Sequence, residues 1–177
     1  MVYRFKDAAR LGHLNAAACG EVLQSLDGER RLTPANVVAV ARPVESPLHG
    51  GFEWDDSAAA DWACTRFPRW ACRVVAEAYR LDRARYILRS IVVVRDADNP
   101  KSAIRAFVTV TGDETPADKP QTIYMSIEAA LADPVKRDEI VSRARRELDE
   151  WRDRYKQIRE FSDVFAAIDR VRDEVTR

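Results

Sequence analysis

The stretch Ser46-Pro47-Leu48-His49-Gly50-Gly51-Phe52-Glu53-Trp54-Asp55-Asp56 most constrains what this chain can fold into. Ser-Pro starts a helical turn, because proline at the first helical position forfeits only an N–H that would be orphaned anyway. Gly50-Gly51 breaks that turn, since glycine loses more backbone freedom on ordering than any other residue. Asp55 or Asp56 offers a carboxylate cap to a new helix. Phe52 and Trp54 are large enough to plug a core. The chain must stop, turn and restart here, with periodic helical sequence on both sides.

Upstream, Asn15 to Leu26 reads as a helix, with Asn15 as N-cap and Cys19, Val22, Leu23 and Leu26 at helical spacing. Asp27-Gly28 is its stop, with glycine available for a left-handed cap. Thr33-Pro34 starts a second helix that Val37, Val38, Val40 and Ala41 make apolar and that Pro43 ends. Downstream, a helix from Ser57 towards Ser90 is interrupted by Pro68, which predicts a kink or two helices meeting near Phe67-Pro68. Trp70, Val74, Ala78, Leu81 and Leu88 form the apolar stripe expected for its second piece.

At Ile91 the period changes. Ile91 to Val94 is β-branched, Ala103 to Thr111 alternates, and Gln121 to Ile127 is a third strand candidate. In the second strand, Ile104, Ala106, Val108 and Val110 fall on one face. Ile127 to Ala132 reads as a helical turn. After Asp133-Pro134 a long helix follows, in which Ala144, Leu148, Trp151, Tyr155 and Ile158 keep the four-three spacing of a heptad seam. Straight, it would be on the order of 60 Å long. Part of the seam must meet another helix, either the tail folded back near Ser162-Asp163 or, preferred, a second chain. The expectation is an α+β protein: a helical N-terminal half (1–90) containing the junction, a small three-stranded antiparallel sheet (91–132) and a long C-terminal helix (133–177). These make one compact unit plus a helical arm.

Charge excludes little at first sight, because 29 basic and 29 acidic residues cancel. The distribution is uneven. Ser57 to Ser90 holds seven arginines against Asp61, Glu77 and Asp82. Met1 to Arg10 has no apolar run of the kind a secretory signal needs, and no stretch is long enough to span a bilayer. With three cysteines, the expected location is a reducing cytoplasm, with no membrane partner.

Three constellations invite functional readings. His49, Glu53, Asp55 and Asp56 could be a divalent-metal site or an acid/base set. The preferred reading is structural: the aspartates cap a helix, His49 bonds a nearby carbonyl and Glu53 faces solvent. Cys64 and Cys72 could bridge only if Pro68 folds the segment back. Together with Cys19 they match no zinc spacing, so free buried thiols are expected, with no metal or cofactor. Arg66, Arg69, Arg73, Arg80 and Arg83, spaced three, four, seven and three, fall on one helical face with Trp62, Phe67 and Trp70 interleaved. Such a stripe can contact phosphates. It can equally be a solvated face paired with neighbouring acids. The helices from Thr33 and Ser46 have the linker length of a helix-turn-helix, but the second is short and glycine-broken. No phosphate loop, nucleophile elbow or dinucleotide fingerprint is present, so enzyme activity has no positive support.

LTPANVV, SPLHGGFEWDD and AEAYRLDRARYILRSIVVV together resemble a widespread family of small tailed-phage and prophage proteins. The resemblance covers roughly Asn15 to Val94. It rests most specifically on Ser46, Pro47, His49, Phe52, Glu53, Trp54, Asp55 and Asp56. The family has no settled function, so the resemblance implies a phage origin and a bacterial host rather than a reaction. Asp61 to Ala76 departs from the pattern as an added segment. The expected function is a phage accessory protein without enzyme activity that contacts nucleic acid through the arginine stripe. The alternative is a protein–protein assembly module, homo-oligomeric or bound to a phage or host protein through Leu148, Trp151, Tyr155 and Ile158.

Overall fold

The computed structural model describes residues 2–29, 31–59, 69–94, 102–111 and 122–175, with side chains other than those of 69–72, 122 and 171–175. The protein is α+β, with a small three-stranded antiparallel sheet and helices on either side of it in sequence. The chain divides into two compact units, Met1–Asp133 and Pro134–Arg177.

The first unit begins with β1 (Val2–Phe5). Helix α1 (Ala16–Gly28) follows, and its N-cap Asn15 accepts from the N–H groups of Ala17 and Ala18. Gly28 is the last residue of α1 and Glu29, at φ −83°, is the cap. The expected left-handed glycine stop is therefore not used, and Arg31 N–H returns to Leu26 O instead, at 2.8 Å. Helix α2 (Pro34–Ala41) starts as expected, with Thr33 Oγ1 accepting from Asn36 N–H at 3.2 Å. A short 3-10 turn (His49–Gly51), α3 (Asp56–Ala59) and α4 (Arg69–Ser90) come next. The expected turn covers Pro47 to His49; the 3-10 turn lies two residues later and takes in both glycines, because Ser46-Pro47 supplies its entry and not its body. The kink expected at Pro68, with Cys64 and Arg66, falls outside the described residues.

The inward face of α4 keeps only part of the expected stripe: Leu88 is in the core and Leu81 packs against it, but Ala78 is exposed. Val74 is 64% exposed, whereas Ala76, Arg80, Ala84, Ile87 and Leu88 are buried. The helix is rotated so that a charged residue, Arg80, sits among the buried positions. The reason lies in the junction described below.

Strand β2 (Ile91–Val94) is central and pairs antiparallel with β1 on one side and β3 (Ala103–Arg105) on the other. The expected single strand from Ala103 to Thr111 is divided at Ala106. Its N–H donates to Ile91 O at 3.2 Å and its carbonyl accepts from Ile127 N–H at 3.0 Å. The chain thereby leaves the first sheet, and β4 (Phe107–Thr111) pairs with β5 (Thr122–Ser126) in a separate two-stranded ribbon. The expected meander is thus corrected: its first strand and the start of its second join an unforeseen N-terminal strand, and the rest forms the ribbon. The break also shifts the alternation, so that Ala106 and Phe107 are both buried. Helix α5 (Ile127–Ala132), capped by Ser126, closes the unit. Leu11, Leu23, Leu32, Val37, Leu48, Ile87 and Phe107 form the centre of its core.

The second unit holds α6 (Pro134–Tyr155), a 3-10 turn (Arg159–Phe161) and α7 (Ser162–Val175). The expected continuous helix is therefore interrupted after Tyr155, and the chain returns on itself. Trp151 lies 5.5 Å from Tyr155, 5.5 Å from Phe161 and 5.7 Å from Phe165 between ring centroids. Arg152 Nη1 meets Asp169 Oδ1 at 2.6 Å across the hairpin. Among the described residues no helix is long and apolar enough to cross a membrane.

Candidate functional site

The Ser46–Asp56 junction has little regular structure, so its backbone carbonyls cannot pair in a ladder. Buried carbonyls need partners, and here side chains from three other segments supply them. Cys19, from α1, donates its thiol to Pro47 O at 3.4 Å. His13 Nε2 lies 2.9 Å from Gly50 O, and since a carbonyl only accepts, that nitrogen carries the proton. Arg83 Nε donates to Gly51 O at 2.8 Å. Arg80 donates from Nε to Glu53 O at 2.9 Å and from Nη2 to Trp54 O at 2.9 Å and Asp56 Oδ1 at 2.8 Å. Within the junction, Trp54 Nε1 donates to His49 O at 3.0 Å.

Trp54 is the centre of this assembly. His49 stacks on it at 5.2 Å and 19° between planes, and Phe52 tilts against it at 5.4 Å. The guanidinium carbons of Arg42 and Arg80 each lie 5.5 Å from its ring centroid. Such cations are attracted to the electron-rich ring face. His49 Nδ1 is 3.1 Å from both Ala41 O and Arg42 O, so it donates to the carbonyls that α2 leaves free at its C-terminal end. Gly51 is needed for space: a Cβ there would stand 3.1 Å from both Ile87 Cδ1 and Leu14 Cδ1.

The carboxylates do not converge. Asp55 Oδ1 caps α3 by accepting from Ser57 N–H at 2.7 Å and Ala58 N–H at 3.4 Å. Glu53 is exposed and accepts from Asp55 N–H at 3.0 Å. Asp56 pairs with Arg80. Ser46 opens the turn, its carbonyl accepting from His49 N–H at 2.9 Å and its Oγ from Leu48 N–H at 3.4 Å. Among the described residues no group of three His, Cys, Asp or Glu side chains could hold a metal ion. The junction is a clamp that joins α2, α3 and α4.

The arginine stripe does not present one solvent-facing row. Arg80 is only 4% exposed, and its donors are spent on the junction. Arg83 is half-buried, bonded to Gly51 O and lying 5.1 Å from the Tyr86 ring centroid. The expectation that both are free to meet phosphates is corrected: orphaned loop carbonyls capture them first. Arg73 is exposed and forms no ion pair with any described residue. The Arg69 side chain and all of Arg66 lie outside the described side chains, as does Cys72. Cys19 is free and buried, and burial pushes its thiol up to about 11. Sequence reasoning missed His13, Cys19 and Arg42 as partners of the junction. The one available signal was that both histidines of the chain lie close to glycine-containing turns.

A cleft of about 310 Å³ lies away from the junction, between α1 and α2, with Val22, Leu26 and Val40 as its apolar lining and Glu29 and Arg31 at its edge. On the second unit, Leu148 is 41% exposed and Ile158 38% exposed, while Trp151 and Tyr155 are half-buried against Phe161 and Phe165. No protein-family model, no curated protein and no solved structure matches this chain.

Proposed function

We propose that the protein is a non-enzymatic assembly module that self-associates through its C-terminal helical hairpin. The phage resemblance of the junction supports reading it as a phage or prophage accessory protein acting in a bacterial cytoplasm. The observation that carries the assembly reading is the incomplete seam of the hairpin. Two helices cannot enclose a core by themselves, and Leu148, Ile158 and Val164 remain exposed on the same hairpin that carries the Trp151 ring cluster. A second hairpin would complete a four-helix bundle around them. Pro134 to Arg177 carries twelve basic and eleven acidic residues, a near balance that suits a surface meeting its own copy. A strongly one-signed surface would repel that copy.

Sedimentation equilibrium of the full chain tests this. A dimer or higher oligomer is expected, and Leu148→Glu combined with Val164→Glu should return it to monomer with helix content unchanged by circular dichroism. A wild-type protein that stays monomeric at tens of micromolar overturns the reading. An oligomer indifferent to both substitutions, and to Ile158→Glu, overturns the assignment to the hairpin.

A further inference from the structure

The outer face of the three-stranded sheet carries an arrangement that the junction and the hairpin do not use. Successive strand residues point to opposite faces. Tyr3 and Val93 belong to the core, and Ile104 packs against it, so their row faces inward. The outward rows are then set by the register. Arg4 pairs with Val92 and Val92 with Arg105, while Val2 pairs with Val94 and Val94 with Ala103. Two arginines therefore flank one central valine. Both are exposed, and Val92 between them is only 7% exposed. Neither Arg4 nor Arg105 forms an ion pair or a side-chain hydrogen bond with a described residue, in contrast to Arg80, Arg85, Arg143 and Arg152. No carboxylate stands in either outward row. Lys6, exposed and two residues beyond Arg4, extends the positive row past the strand end.

Leaving two guanidiniums unpaired on one face of a chain of zero net charge marks that face for an anionic partner. Arg4 and Arg105 are two strands apart, about 10 Å between backbones. Each can therefore engage a separate anionic group through its planar fork. An acidic peptide would add to a sheet by pairing along an edge strand, whereas these cations stand on the face. Among the described residues its outward rows carry no aromatic side chain for bases to stack on. We propose that this sheet face binds nucleic acid through its phosphates, without sequence preference, with Arg4 and Arg105 as the contacting cations and Lys6 beside them. The proposal goes beyond self-association and rests on different residues, in the other unit.

Fluorescence polarisation with labelled single- and double-stranded oligonucleotides at several salt concentrations tests it, on the full chain. Wild type should bind at low salt with affinity falling steeply as salt rises. Arg4→Ala with Arg105→Ala should weaken binding at least tenfold and lower the salt slope by about 2, the signature of two lost phosphate contacts. Arg4→Gln with Arg105→Gln, which keeps the three-carbon stem and a polar end beside Val92 without the charge, should do the same, so a folding defect in the alanine pair cannot mimic the result. Leu148→Glu with Val164→Glu separates this surface from the hairpin: a monomer that still binds nucleic acid leaves the sheet-face proposal standing even where self-association fails. No binding of either oligonucleotide at low salt overturns the proposal. So does binding lost with Arg73→Ala but kept in the sheet double variants, and so does capture of polyglutamate in place of nucleic acid.

Discussion

Arg80 is a buried cation whose charge is met by two carbonyls and two carboxylates, and that accounting explains its position. A buried guanidinium is tolerated only when its donors are satisfied. Nε and Nη2 reach Glu53 O, Trp54 O and Asp56 Oδ1, Glu77 Oε2 stands 3.9 Å from Nη1, and Trp54 covers one face. Among the described residues no buried side-chain nitrogen or oxygen lacks a partner. Arg80→Ala would strand the two carbonyls and should cost on the order of 3 kcal/mol in urea denaturation. Arg80→Lys should recover little of it, because an ammonium cannot reproduce the planar fork. Gly20 is a second fixed point. A Cβ there would stand 2.2 Å from Tyr3 Cγ, and the Tyr3 hydroxyl is itself held, donating to Gln24 Oε1 at 2.8 Å. Gly20→Ala should therefore lose about 1–3 kcal/mol by overpacking, with part of it restored by Tyr3→Leu. Cys19 gives a pH test. Burial raises its thiol from 9.0 to about 11, so the folded state holds a proton that the unfolded state releases. That stabilisation is whole below pH 9 and is lost as pH rises towards 11. The Tyr3 hydroxyl, raised chiefly by burial, pulls in the same direction. The urea midpoint should fall over this range, and less steeply in Cys19→Ala.

At the scale of elements, the helix starts follow local chemistry. Thr33 caps α2, Asp55 caps α3, and each bonds an N–H two or three residues on. Replacing either by alanine should cost about 1 kcal/mol. Thr33 should be the more costly of the two, because it is buried and water cannot replace its hydroxyl, whereas Asp55 is exposed. Thermal melts of the two variants give the order. These starts were legible because a cap and its partner are neighbours in the chain. The end of α1 was not, because Arg31 N–H returns to Leu26 O and leaves Gly28 an ordinary helical residue. Strand β1 was missed for a related reason: four residues carry too short a pattern, and its partner β2 lies almost ninety positions away. The division at Ala106 depends on Ile127 N–H, which nothing within the strand announces.

At the scale of the whole molecule, the heptad spacing from Ala144 to Ile158 demanded a partner, and part of it is provided within the chain by Phe161 and Phe165. The exposed remainder, Leu148 and Ile158, lies with Val164 of α7 where self-association is proposed. If so, the melting temperature should rise with protein concentration, since association stabilises the folded state by mass action. In the Leu148→Glu, Val164→Glu variant it should not. The motif of Ser46 to Asp56 was readable as a junction: a turn, an aromatic plug and a cap. What could not be read was how it is held. Caps, turns and strand propensity follow from the sequence alone, because their partners lie within a few residues and their geometry is local. Which face of α4 turns inward, and that Arg80 serves the junction and not the solvent, was decided only by tertiary structure. The carbonyls that need Arg80 lie 26 and 27 residues away in the chain, and only folding brings an unpaired carbonyl and a buried guanidinium to the same place.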